Sequence, residues 1–371
     1  MTTTGAKRGR ARDLGISFDG VTGVHNAITD IPGVEVGFST LISGEGANAV
    51  RTGVTAVLPR GRTGVGIPAT AGVYSMNGNG ELTGSHWLEE TGLLTLPVAL
   101  TNSHAVGTVH RSIIDWVIQH HPKVAQDWLL PVVAETYDGD LNDINGLHIT
   151  DEHVWQALNT ASNGEVREGN VGGGTGMNCY EFKGGSGTAS RVIDYGGTRL
   201  SVGVFVQANF GSREELVVAG VPVGRVLSAD NPFRESALRP PGGGSVIAIV
   251  ATDAPLLPNQ CKALARRVPL GLARTGTTGS HFSGDIFLAF STANETTMHS
   301  GYTDRPSAGQ FDSMTYLPWA NIDALYEATV QGVEEAVVNA LCAAETMTGR
   351  NGFRSPALPV EQLTELLRPR A

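Results

Sequence analysis

The sequence predicts layered β-sheets with helices packed outside them, an α/β architecture distinct from a doubly wound parallel sheet. Three observations carry this expectation. The strand candidates are short, β-branched and apolar on both faces, as strands covered on both sides are. Helix candidates lie among them, marked by start and stop signals or an apolar stripe. Strands and helices do not alternate strictly, which argues against a run of βαβ units.

The elements follow in chain order. "TGVTAVLPRG" (52–61) and "LPVALTN" (96–102) are the first strand candidates. Residues 105–120 predict a helix that starts after Asn102-Ser103 and stops before Pro122. "SVGVFVQANF" (201–210) and "ELVVAGVPVG" (215–224) read as strands. The stretch 225–244, "RVLSADNPFRESALRPPGGG", has no periodicity, and loops of that length are usually functional or disordered. "SVIAIVATDA" (245–254) and "DIFLAFSTAN" (285–294) read as strands, with a helix at 258–268 that carries Pro in its first turn. In 322–345, Ile322, Leu325, Val330, Val333, Val337 and Leu341 form one apolar stripe, and "VEQLTELL" (360–367) predicts a short last helix.

Composition narrows the function. The 371 residues suffice for one large domain or two smaller ones, and no internal repeat is visible. Net charge is −10 and no Lys/Arg stripe follows the short "AKRGRAR" (6–12), so no nucleic-acid partner is expected. The residues after that stretch lack the apolar core and cleavage site of a signal peptide. No run approaches the ~20 apolar residues of a membrane helix. Cys179, Cys261 and Cys342 are odd in number and far apart, and read as buried thiols of a reducing compartment. A soluble, cytoplasmic protein is expected.

Several familiar signatures fail. "GGGTG" (172–176) lacks the GK[ST] of a phosphate loop, and in "GVGIPA" (64–69) Pro68 sits where a dinucleotide-binding helix should begin. His148, Asp151 and His153 do not have the H-E-x-x-H spacing and read as surface polar residues. No serine lies in G-x-S-x-G. Neither cofactor nor metal is expected.

One junction remains. In "RPPGGGSVIAIVATDAP" (239–255), Ser245 stands between loose backbone and a stiff apolar strand. A serine hydroxyl needs a base. If the bond before it is cut, its own α-amine, with a reference pKa of about 7.7–8.0, becomes one. The serine can make that cut by attacking the preceding carbonyl, and glycine tolerates the unusual backbone this needs. Pro240, Pro241 and Gly242–Gly244 suit a loop leading into the bond. Taken alone, the stretch is also compatible with a turn feeding a core strand.

Four stretches decide between these readings. "GGGSVIAIVATDAPLLPNQC" (242–261), "SGDIFLAFSTAN" (283–294), "VQANFG" (206–211) and "PVVAETYDGDLND" (131–143) resemble the L-aminopeptidase D-Ala-esterase/amidase and β-peptidyl aminopeptidase family, the self-processing serine aminopeptidases of the S58 type. The resemblance runs from about residue 25 to the helix at 322–345. It implies an αββα sandwich similar to N-terminal-nucleophile hydrolases, with different connectivity, and shared with ornithine acetyltransferases. It implies a single catalytic domain that cuts itself between Gly244 and Ser245, into chains 1–244 and 245–371. The substrate would be a small peptide, amide or ester with a free amine, and the assembly a homotetramer.

Residue by residue, the resemblance makes Ser245 the nucleophile of both steps, assisted by Ser283 and Asp285. Those two lie at i and i+2, on one face of a strand that reaches back to Ser283. A carboxylate accepting a hydrogen bond from Ser283 makes it a better acceptor for the Ser245 proton. Some relatives carry Glu where this chain has the shorter Asp285. Whether Ser283 or the α-amine is the working base stays open. Asn209 matches the oxyanion-hole amide, and Glu135 and Tyr137 match positions at the substrate's amine, where a carboxylate can hold an ammonium. "NSH" (102–104) and "NVGGGTG" (170–176) resemble family stretches near the site, without assigned roles. The alternative is an acyltransferase of the ornithine acetyltransferase type. Those relatives use threonine as nucleophile, whereas this chain has Ser245.

Overall fold

A computed structural model describes residues 9–235, 242–303 and 305–368. The start of the basic stretch at 6–12, and Pro240 and Pro241, lie outside them. In chain order the elements are β1 (Glu35–Ser43), β2 (Val50–Leu58), β3 (Ala69–Gly78), α1 (Ser85–Thr91), β4 (Leu93–Leu94), β5 (Val98–Asn102), α2 (Val106–His120), β6 (Val132–Thr136) and α3 (Asp151–Asn159). Then come β7 (Asn178–Cys179), β8 (Phe182–Lys183), β9 (Gly185–Tyr195), β10 (Thr198–Asn209), α4 (Val223–Val226), β11 (Gly244–Thr252), α5 (Pro258–Ala265), α6 (Val268–Arg274), β12 (Ser283–Ser291), α7 (Asp323–Ala343) and α8 (Val360–Leu366).

Two large sheets result, of order β1-β2-β5-β6 and β4-β3-β12-β11-β10-β9, beside two-stranded ribbons such as β7-β8. The pairs β5/β6 and β11/β12 are parallel, and helices span each crossover. Alternation along β11 shows the layering. Val246, Ala248 and Val250 pack towards Leu264, Leu272, Val333 and Val337 of the helices, whereas Ile247, Ile249 and Ala251 face Leu100, Val132 and Ala134 of the other sheet. The outer face of the four-stranded sheet, with Val54, Ala56, Ala99 and Val133, carries α2 and α3 through Val109, Ile113, Trp116, Val154 and Leu158. Helix, sheet, sheet, helix is the four-layer order expected.

Two local expectations fail. Residues 215–224 form no strand. Ala219 and Gly220, both at positive φ, turn the chain so that Val218 pairs with Val221, and α4 starts right after Pro222. The helix expected at 258–268 ends at Ala265, and a second one begins at Val268 with Pro269 in its first turn. Helix α7 exceeds its single stripe: 15 of its 21 residues are buried, because it lies on β9 and β10 under α6. Cys179, Cys261 and Cys342 are buried and in no disulfide. Among the described residues no helix is long and apolar enough to cross a membrane.

Candidate active site

The site lies where the gap between the sheets opens, at the start of β11. Gly244 has φ +152°, and a Cβ there would overlap the Asn209 carbonyl oxygen, so only glycine fits. Ser245 pairs with Asn209 of antiparallel β10 and with Gly284 of parallel β12. Directly paired residues present side chains on the same face. The Ser245 hydroxyl and the Asn209 carboxamide therefore share the inter-sheet face with Ile247 and Ile249. Ser245 is 3% exposed, and its Oγ has no hydrogen-bond partner among the described residues.

Asn209 is held at both ends. Its Oδ1 accepts the Asn178 N–H at 2.8 Å and its Nδ2 donates to the Tyr137 carbonyl at 2.9 Å. These partners fix the orientation of the amide and, among the described residues, leave one N–H of Nδ2 uncommitted. Tyr137 itself is 41% exposed at the rim, its ring over Gly139, where a Cβ would overlap the phenol.

The facing wall comes from the ends of β5 and β6. Glu135 Oε2 accepts the Ser103 hydroxyl, and Oε1 accepts the Glu81 N–H at 3.1 Å. Burial pushes the Glu135 carboxyl above its ordinary range; the two hydrogen bonds oppose this, and the nearby Glu81 charge adds to it. Between the walls lies a cleft of about 530 Å³ lined by Glu81, Ser103, Glu135, Tyr137, Ser245 and Phe282.

Ser283 and Asp285 meet as the i, i+2 spacing expects, despite the shorter acid: Ser283 Oγ donates to Asp285 Oδ1 at 2.6 Å. Asp285 Oδ2 accepts Asn77 Nδ2 at 2.9 Å. Burial raises this carboxyl too, against hydrogen bonds from Ser283, Asn77 and the Val246 N–H. The pair does not reach the Ser245 hydroxyl. Register places Gly284 beside Ser245, under the Asn79–Gly80 backbone, and alternation turns Ser283 and Asp285 to the helix side with Phe287. The sheet thus carries Ser245 of β11 and Asn209 of β10 on one face and Ser283 and Asp285 of β12 on the other.

Sequence reasoning assigned no role to Ser103, Asn178, Asn77 or Glu81. Ser103 lies in a stretch already marked by resemblance, and Asn178 follows another by two residues. Asn77 and Glu81 carry no local signal, since only β3 pairing and a backbone N–H bring them in. His148 and His153 are engaged away from the cleft, with Asp143 and Thr150, and Asp151 accepts the Ser112 hydroxyl.

A four-layer αββα core, with a serine opening an interior strand above a cleft between the sheets, has the layout of N-terminal-nucleophile hydrolases. The model of peptidase family S58 matches residues 26–355, and the chain belongs to that family. It is 48% identical to β-peptidyl aminopeptidase BapA of Sphingosinicella microcystinivorans, over 97% of this chain and 92% of that protein. To the protein of the same name from Sphingosinicella xenopeptidilytica it is 45% identical, over 97% and 91%. Among solved structures, the L-aminopeptidase D-Ala-esterase/amidase of Ochrobactrum anthropi, a prototype for the serine aminopeptidases and a new variant of the Ntn hydrolase fold, superposes with a TM-score of 0.90 at 46% identity, covering 96% of this chain and 98% of that one. A Burkholderia sp. β-aminopeptidase superposes with a TM-score of 0.89 at 45% identity, covering 97% and 100%. This chain is therefore a hydrolase, a serine aminopeptidase with the variant Ntn fold.

Proposed function

We propose that the chain cuts itself between Gly244 and Ser245 and then removes N-terminal residues from small peptides, amides or esters, with Ser245 as nucleophile in both steps. The observation that carries this reading is the buried Ser245 hydroxyl, without a hydrogen-bond partner among the described residues, preceded by a glycine at φ +152° and facing Glu135 across the cleft.

In self-cleavage, Ser245 Oγ attacks the Gly244 carbonyl carbon. The C–N bond breaks, the nitrogen takes the hydroxyl proton, and the acyl group passes to oxygen. Water then hydrolyses the ester, leaving a Gly244 carboxylate and Ser245 with a free α-amine. In turnover, Glu135 binds the substrate's ammonium in a charge-assisted contact. The Ser245 hydroxyl attacks the scissile carbonyl and Asn209 Nδ2 donates to the oxyanion. The scissile C–N or C–O bond then breaks, the leaving amine or alcohol takes the proton, and water hydrolyses the Ser245 ester to free the carboxylic acid and restore the hydroxyl. The opposite facing of Ser283 and Asp285 favours the α-amine as the base that takes the hydroxyl proton, with the Ser283–Asp285 pair holding that amine from the helix side. Esterase and amidase activity fit the same acyl-enzyme, as the O. anthropi protein's name suggests by analogy.

Intact masses of the purified protein under denaturing conditions test the first step: two chains are expected, the smaller beginning Ser-Val-Ile-Ala. Ser245→Ala should give one uncut, folded, inactive chain. Peptide turnover at the wild-type rate by Ser245→Ala would sink the reading.

A further inference from the structure

We propose that Lys183 is a positioning residue for Asn209, acting through the Met177–Asn178 peptide group; this rests on the reading of Asn209 as oxyanion donor. Lys183 is fully buried, and its Nζ donates to the carbonyls of Met177 at 2.7 Å, Gly184 at 2.9 Å and Gly174 at 3.4 Å. An ammonium whose hydrogen bonds go to backbone carbonyls is an expensive group for a core, so its place calls for a reason. Burial lowers its pKa to about 7, while three acceptors match the three N–H bonds of the charged form.

The reason lies one peptide away. The Met177 carbonyl and the Asn178 N–H belong to one planar group. Its oxygen accepts from Lys183 Nζ and from the Gly184 N–H at 2.9 Å, and its N–H donates to Asn209 Oδ1 at 2.8 Å. A hydrogen bond from a cation to the carbonyl polarises the N–H on the other side, since linked hydrogen bonds strengthen one another. That bond and the Tyr137 carbonyl set the plane of the Asn209 carboxamide, and so the direction of its uncommitted N–H. Lys183 is brought there by the β7–β8 ribbon, where it pairs with Asn178, and the turn residues Tyr180 and Glu181 both lie at positive φ. Preorganised donors lose their effect when free to rotate. Removing the ammonium therefore weakens transition-state stabilisation without touching the ammonium-binding wall at Glu135.

A kinetic double-mutant cycle on the self-cleaved enzyme tests this, with an amino-acid p-nitroanilide that the wild type hydrolyses. Asn209→Ala should lower kcat by about 10²–10³. Lys183→Met should lower kcat by about tenfold with KM nearly unchanged, and should cost nothing further in the Asn209→Ala background. If Lys183→Met yields no folded protein, Lys183→Gln, which keeps a donor in the slot, enters the same cycle with a smaller kcat loss. Equal losses in both backgrounds, or a change in KM alone, would overturn the role of Lys183 and leave that of Asn209 standing. An Asn209→Ala enzyme with full kcat would instead remove the oxyanion reading itself.

Discussion

In the proposed mechanism, the burial of Glu135 sets a working pH. Its carboxyl is raised chiefly by loss of solvent, yet in the proposed mechanism it must be ionised to hold an ammonium. As pH falls through the raised pKa, the acid protonates and the amine loses its partner. The acidic limb of kcat/KM should thus lie above the ordinary carboxylate range. Glu135→Gln should abolish that limb and lower kcat/KM by about 10–100-fold, the worth of a hydrogen bond to a charged group. The Glu81 charge also raises Glu135, so Glu81→Gln should move the limb to lower pH. A limb unmoved by either substitution would detach it from Glu135. Glu135 was legible through resemblance and through the need of an aminopeptidase for a carboxylate. Glu81 was not, because its contribution passes through its backbone N–H and the field of its charge, neither of which leaves a sequence pattern.

At the scale of elements, the central strands of the six-stranded sheet were the most legible, whereas β1 and β6 were not read. β10, β11 and β12 insert Val, Ile, Phe and Leu between covering layers and were recognised within three residues at each end. β3 and β9 escaped notice because helices rest directly on their glycines. A Cβ on Gly72 would overlap the Lys262 backbone of α5, and one on Gly187 the Ala336 carbonyl of α7. Close approach selects small residues and erases the periodic signal. The same constraint governs the start of β11. Gly244→Ala forces a Cβ into the Asn209 carbonyl and a strained φ, so the strand must shift away from β10. Self-cleavage should slow by at least about tenfold, the rate effect of ~1.4 kcal/mol lost in positioning. A denaturing-gel time course from fresh protein measures it, and cleavage as fast as in the wild type would show that Gly244 merely spaces the turn.

For the whole molecule, the layer order was legible and the strand order was not. Local pattern says which faces are buried, whereas the order β4-β3-β12-β11-β10-β9 joins segments about 200 residues apart. That order has a consequence for the cut protein. The proposed chain 245–371 supplies β11 and β12, which lie between β10 and β3 of chain 1–244. Glu335 on α7, also in the smaller chain, is fully buried and pairs with Arg12 at 2.8 Å and Arg191 at 2.7 Å of the larger one. Burial alone would raise that carboxyl, but Arg12, Arg191 and Asn26 outweigh it and hold it below its ordinary range. Its stabilising contribution is present above the unfolded carboxylate pKa and is lost as pH falls through the lower folded value. The two chains should therefore stay together in size-exclusion chromatography at neutral pH and unfold in one transition. Glu335→Gln leaves the buried Arg191 guanidinium, and the partly exposed one of Arg12, short of a counter-charge, and should lower stability by about 3–5 kcal/mol. Refolding should separate the cut enzyme from uncut Ser245→Ala. Once unfolded, the cut chains must meet again, so recovery should fall on dilution, whereas one continuous chain keeps its halves at a fixed effective concentration. Equal, concentration-independent recovery of both proteins would mean that the two chains do not part on unfolding, contrary to a product held together only by the folded, interleaved sheet.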